Sequence, residues 1–483
     1  MVKFAGDSVR RKSKKKHHNI DNNKANTSYY KIVGLSVIII GALVIRLYPV
    51  VNSPEKIRSG FGPFGDTFYY HRVAYNLCNG NGFSATDDGR AFGGGKKNKV
   101  LEYEPTITRG PVYPFFMYMV YKSLGNKEDM QSLGDWNKNL NKVRIVQCVI
   151  DAAVCLLLFF IVRLIYPSFF LPAIISAFLY CFSFYNIFYT KALLSESLTT
   201  FLMTWFIFFC VLGLKNQKKL WYFLAGAVFG LLLLSRFEYA LFVFVLIIYM
   251  CFINRRSLPI AIKNCVIFII GATIIISPWT ARNYIAFKKP ILVSTGTLGY
   301  KLWQGTFETN KIWGRWGGDY PDEIFASERE KMDVMFWDKG FKAHLRTGSI
   351  KIKDTDKLFM RLALRRIKNE PLQCFQNWIT KIPRLWYQSY IEMYAYKEAS
   401  GNFFIFYFLF GAYAVFDGKK REKILMAPIC FLFIYLTIIF LPMGVEPRYG
   451  VTLMPAIISL AGIGIWKAIS NAVYVFSKSK AVR

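Results

Sequence analysis

About ten apolar runs, most of them near the roughly 20 residues whose helix crosses a bilayer, limit what this chain can fold into. They lie at 31–50, 143–165, 169–189, 198–214, 220–234, 237–253, 260–280, 403–415, 424–441 and 451–469. Inside hydrocarbon a segment must satisfy its own backbone polar groups, so runs of this length predict helices rather than isolated strands. The expected fold class is an all-α polytopic membrane protein, a bundle of about ten or more transmembrane helices.

Charge orients that bundle. Lys and Arg number 62 against 30 Asp and Glu, a net charge of +32 that in a soluble chain would point to nucleic acid. Here the linkers 215–219, 255–263 and 419–423 and the tail 478–483 are all basic, and alternating spans put all four on one side. The positive-inside rule makes that side cytoplasmic and places the N-terminus there too. Membrane lipids are therefore the expected partners, and nucleic acid is not. The basic tail from Arg10 to His18 has no apolar stretch before Lys31, and reads as a cytoplasmic flank touching anionic lipid rather than a cleaved signal peptide.

Five regions follow: a basic tail, 1–30; an N-terminal transmembrane module, 31–281, with an outer loop at 51–142; an extracytoplasmic segment, 282–402; C-terminal transmembrane helices, 403–469; and a second basic tail, 470–483. The two long segments that stay outside mix charge with aromatics. The second carries Trp303, Trp313, Trp316, Trp337, Trp378 and Trp386, suited to the bilayer interface or to stacking on a ligand.

Nine cysteines form no CxxC and mostly lie inside apolar runs, where they pack as small hydrophobes. Cys78 and Cys374 lie outside those runs, and the sequence leaves open whether they meet. With four His, two of them in the N-terminal tail, no metal site is expected and no cofactor is required.

Ionisable residues recur at the outer ends of the spans. In GDTFYYHRVAYNL, 65–77, Asp66 starts a helix with Tyr70, Ala74 and Leu77 on one face; Asp66 reads either as an N-cap or as a functional carboxylate. Arg109 stands in EPTITRGPVYPFF, 104–116, where an arginine also snorkels to headgroups. Lys191 and Glu196 share the turn YTKALLSES, 189–197, where Glu196 also suits a helix start beside Ser195. Arg282 lies in SPWTARNYIAF, 277–287, and Glu446, Arg448 and Tyr449 in GVEPRYGVTLMP, 444–455. Each has a structural explanation, yet separate segments place acids and arginines at one membrane face, whereas a transporter is expected to concentrate them near mid-membrane. Asp151, inside its span, is the main buried acid.

The order of these motifs resembles the polyprenyl-phosphate-dependent glycosyltransferases of the GT-C fold, in the branch of protein O-mannosyltransferases and lipid A aminoarabinose transferases. The resemblance runs from about residue 31 to 469 and rests on the acid before a YxxxA helix, RGPxYP, LLSE, PWxxRN and the late Arg-Tyr. It implies a GT-C-like bundle that moves a hexosyl- or pentosyl-type sugar from a polyprenyl-phosphate donor to an acceptor hydroxyl on the extracytoplasmic face, with inversion. Asp66 matches the catalytic acid, Glu196 a second acid, Arg109 a donor-phosphate contact, and Arg448 with Tyr449 the late motif. Lys191, Arg282 and Tyr70 join them as substrate-binding candidates, with Arg109, Arg282 and Arg448 around the phosphate and the Tyr-rich helix along the outer interface. The neighbour of Arg109 that carries a carboxylate in some relatives is Thr108 here, and their proline pair reads Gly110-Pro111. The setting implied is the plasma membrane of a bacterium rather than the endoplasmic reticulum. The alternatives are a transporter or flippase of a lipid-linked sugar and a non-catalytic membrane scaffold.

Overall fold

The computed structural model describes residues 32–52, 66–86, 103–125, 133–294, 298–307, 352–386, 399–446 and 448–481. The 1–30 tail, Trp313, Trp316, Trp337 and large parts of both outer segments lie outside the described residues. Within them the chain is helical, with an isolated antiparallel bridge between Ser84 and Pro105.

The first half runs α1 (Ile32–Asn52), α2 (Asp66–Cys78), α3 (Val112–Leu124), α4 (Leu133–Ile165), α5 (Leu171–Cys181), α6 (Phe184–Lys191), α7 (Glu196–Asn216), α8 (Lys219–Ser235), α9 (Phe242–Ile253) and α10 (Leu258–Phe287). The second half runs α11 (Leu298–Phe307), α12 (Ile352–Asn369), α13 (Pro371–Thr380), α14 (Ile382–Trp386), α15 (Ala399–Phe416), α16 (Lys420–Phe440), the short α17 (Arg448–Val451) and α18 (Met454–Ala481).

Among the described residues, six helices are long and apolar enough to cross a membrane, or seven if α5 and α6, bent by 47°, count as one span. The protein is an integral membrane protein. The expected count of about ten spans is not confirmed. Lys219–Ser235, Phe237–Ile253 and Phe403–Phe416 coincide with the other apolar runs but are shorter helices.

Helix α4 is central and packs against α5 and α7. Helices α8 and α10 approach closely because glycine faces backbone in both directions. A Cβ on Gly226 would lie 1.9 Å from the Phe268 carbonyl oxygen, and one on Gly271 would lie 2.3 Å from that of Phe223. Asp151 is fully buried and pairs with Arg46 of α1, an arginine hidden in an apolar run. The Tyr180 hydroxyl donates to the other Asp151 oxygen at 2.6 Å, so the acid is held within the bundle.

The two ends of the bundle differ. At the basic end Lys215 Nζ donates to the Leu164 carbonyl at 3.0 Å, and Lys467 pairs with Asp417 and Glu422 at 3.1 and 3.2 Å. At the other end α7 begins, α8 stops and α17 precedes α18, bringing Glu196, Arg236 and Arg448 together.

In helix α2, Tyr69 through Asn76 are all buried against the rest of the protein. Trp303 and Trp386 are core residues, the first packed on Phe307 and Phe359 and the second bonded to Thr437 Oγ1. Cys78 and Cys374 are free thiols.

Candidate functional site

Asp66 opens α2 with its carboxylate held between two arginines from opposite halves of the chain. Oδ1 accepts from Arg109 Nε at 2.9 Å and Nη2 at 2.8 Å, and Oδ2 accepts from Arg448 Nη2 at 2.9 Å. Both carboxylate oxygens are thus engaged by arginine. Arg109 reaches this point because the next residue, Gly110, lies against the end of α8. A Cβ there would sit 2.1 Å from the Leu234 carbonyl oxygen, so only glycine permits the approach.

Arg448 is the hub. Its Nε lies 2.6 Å from Glu446 Oε2 and 3.5 Å from Glu196 Oε1. Glu196 Oε1 is shared with Arg236 Nη1 at 3.1 Å, and Arg236 Nε bonds Glu238 Oε1. On the far side Glu446 Oε1 takes Lys301 Nζ at 3.1 Å and the Tyr449 hydroxyl at 3.0 Å. The Tyr449 ring stacks on Phe440 and has Arg236 over it at 5.0 Å. Four carboxylates and four cations thus alternate through one network.

Electrostatics fix the protonation states. Burial alone would raise the Asp66 pKa, but Arg109 and Arg448 outweigh burial and the repulsion from Glu446, and hold it well below the usual carboxylate range. Glu446 follows the same logic: burial opposes ionisation, while Arg448 and Lys301 overcome it and hold its pKa well below the ordinary value. Burial pushes the Tyr70 phenol up, and nearby Asp66 adds to that, so Tyr70 is neutral. Its ring packs edge-on to Tyr113 at 4.8 Å. Access to the network is graded: the Arg109 side chain is 39 % exposed, those of Asp66 and Arg448 only 16 %.

Asp66, Tyr70, Arg109, Glu196, Arg448 and Tyr449 therefore converge as expected from the sequence. Arg282 does not. It donates to the carbonyls of Thr106 at 3.1 Å and Phe83 at 3.0 Å, with its guanidinium over Trp279 at 4.9 Å. It staples the bridge between Ser84 and Pro105 instead of pairing with Asp66. Lys191 presents its backbone carbonyl to Arg144 Nε at 3.0 Å. Arg236, Glu238 and Lys301 were missed. The first two had a signal, since RFE interrupts two apolar runs on the side where the positive-inside rule asks for no arginine. Lys301 had none.

Comparison with solved structures shows the fold. The archaeal oligosaccharyltransferase AglB from Archaeoglobus fulgidus, in complex with an inhibitory peptide and a dolichol-phosphate, superposes with a TM-score of 0.54 at 12 % identity over 95 % of this chain. The apo form of the Archaeoglobus fulgidus oligosaccharyltransferase gives 0.53 at 12 % identity over 92 %. The chain has the GT-C fold. It spans about half the length of these proteins, 52 % of each. Residues 134–281, from α4 to α10, match the family described as dolichyl-phosphate-mannose-protein mannosyltransferase. That stretch holds Glu196 and Arg236, while Asp66, Arg109 and Arg448 lie outside it. No curated protein matches the chain.

Proposed function

We propose that the protein transfers a sugar from a polyprenyl-phosphate donor to an acceptor hydroxyl on the extracytoplasmic face of a bacterial plasma membrane, with Asp66 as the base. The observation that carries this reading is the bridging of Asp66 by Arg109 and Arg448 at the end of the bundle opposite the basic linkers.

Breaking the bond between the anomeric carbon and the phosphate oxygen leaves polyprenyl phosphate with one more negative charge. Guanidinium groups stabilise that charge by paired, charge-assisted hydrogen bonds, so the leaving group needs no separate acid. In the network seen here Asp66 is a weak base, because both of its oxygens are occupied by arginine. A donor phosphate competing for Arg109 and Arg448 loosens those bonds and raises the proton affinity of Asp66. The base thereby strengthens once the donor is in place. The acceptor oxygen attacks the anomeric carbon, its proton passes to Asp66, and the displaced phosphate stays on the arginines; a single displacement inverts the anomeric centre.

The resemblance implies Glu196 as a second catalytic acid, and its contacts also suit a supporting part. Its Oε1 lies between Arg236 and Arg448, so it holds the arginines in place. Tyr70, one helical turn from Asp66, supplies a neutral wall beside the reacting centre.

The test is product analysis with purified protein, a set of polyprenyl-phosphate sugars and candidate acceptors. Free polyprenyl phosphate equimolar with glycosylated acceptor of inverted anomeric configuration supports the reading. Movement of intact donor between leaflets without phosphate release refutes it.

A further inference from the structure

Outside the charged network, one amide side chain on α4 joins the two halves of the site. Gln147 is fully buried. Its Nε2 donates to the carbonyls of Thr190 at 3.0 Å and Ala192 at 2.8 Å, and its Oε1 accepts the Tyr113 hydroxyl at 2.5 Å. Carbonyls only accept and the phenol must donate to the oxygen, so the amide orientation is unambiguous.

Both sets of partners lead to the site. Thr190 and Ala192 are at the end of α6, where helix carbonyls have lost their in-helix donors and need others inside a membrane. Four residues beyond Ala192 the chain reaches Glu196. Arg144, one turn before Gln147 on the same face of α4, takes the intervening Lys191 carbonyl. On the other side Tyr113 stands four residues after Arg109 in the first turn of α3, and its ring backs Tyr70. The α6 turn that delivers Glu196 and the α3 turn that delivers Arg109 are thus referred to one rigid side chain.

We infer that Gln147 is a positioning residue for the transfer reaction, setting the separation between the Asp66–Arg109 half of the site and the Glu196–Arg448 half. The inference rests on the proposed transfer activity. It does not depend on Gln147 touching substrate. Misplacing reacting groups by about 1 Å lowers turnover by about 10²-fold without abolishing binding, so the signature is a split between kcat and KM.

The test compares Gln147→Leu, Tyr113→Phe and the double variant, with activity normalised to folded protein. The expected result for Gln147→Leu is a kcat lower by about 10- to 100-fold with donor KM within about twofold of wild type. Tyr113→Phe, which keeps both carbonyl bonds, should lose less, and the double variant should resemble Gln147→Leu rather than the product of the two losses, because the residues act as a unit. A Gln147→Leu kcat within twofold of wild type per folded molecule overturns the inference. If that variant does not fold, an unchanged kcat in Tyr113→Phe overturns it. Absence of transfer by wild type is failure of the functional reading instead. The positioning claim is then decided by the distance between spin labels at Met119 on α3 and Phe184 on α6, both exposed. A changed distance in either variant supports it, and an unchanged one overturns it.

Discussion

Asp66 and Arg448 are 382 positions apart in sequence and 2.9 Å apart in the fold. Helix α2 and the short helix α17 close on each other through this pair, with Arg109 completing the bridge.

Arg109 and Arg448 should separate binding from stability. Arg109 is the more exposed and pairs with Asp66, so Arg109→Ala should cost at most about 1 kcal/mol of stability while raising donor KM. Arg448 faces Asp66, Glu446 and Glu196, and its loss takes one cation from each of three largely buried carboxylates. Arg448→Met should destabilise by about 3–5 kcal/mol, read as a drop in thermal midpoint in detergent. Equal midpoints for the two variants would contradict the hub role of Arg448.

Acid should weaken the network late. Asp66 and Glu446 have folded pKa values below their ordinary ones. A depressed carboxylate contributes stability that is fully present above its unfolded pKa, about 4, and is lost as pH falls through the folded value. The difference in thermal midpoint between wild type and Asp66→Asn should stay flat from pH 8 to about 5 and change only below about 4. A change centred near pH 6 would contradict the ion-paired state of Asp66.

The intramembrane pair should show strong coupling. Arg46→Met or Asp151→Leu alone leaves a buried charge unpaired and should cost about 3–5 kcal/mol. The double variant should be less destabilised than the sum of the singles, as a double-mutant cycle of thermal midpoints would show. Additive losses would mean that the two residues stabilise the bundle independently.

What could be read from the sequence depended on whether a residue's role is set locally. Asp66, Arg109 and the Arg448-Tyr449 pair were legible because each stands in a short motif at a span end, and topology alone puts those ends on one face. Arg282 shows the limit of that argument. It lies at an outer helix end, yet its guanidinium turns to two carbonyls and three aromatic rings, and segment-level placement carries no information on side-chain direction. Arg46 was hidden because one arginine barely lowers the hydropathy of a long apolar run. Lys301 joins Glu446 across 145 positions, a pairing no local pattern records. The break between α5 and α6 was equally silent, since the residues around Ser183 continue the apolar run.

The most direct test of the central claim is a single-turnover comparison of wild type and Asp66→Asn, following free polyprenyl phosphate by mass spectrometry. The substitution keeps the size of the side chain and removes its charge and basicity. The account predicts release by wild type and a rate lower by about 10²- to 10⁴-fold in Asp66→Asn with the protein folded and donor still bound. Equal rates of release would contradict Asp66 as the base.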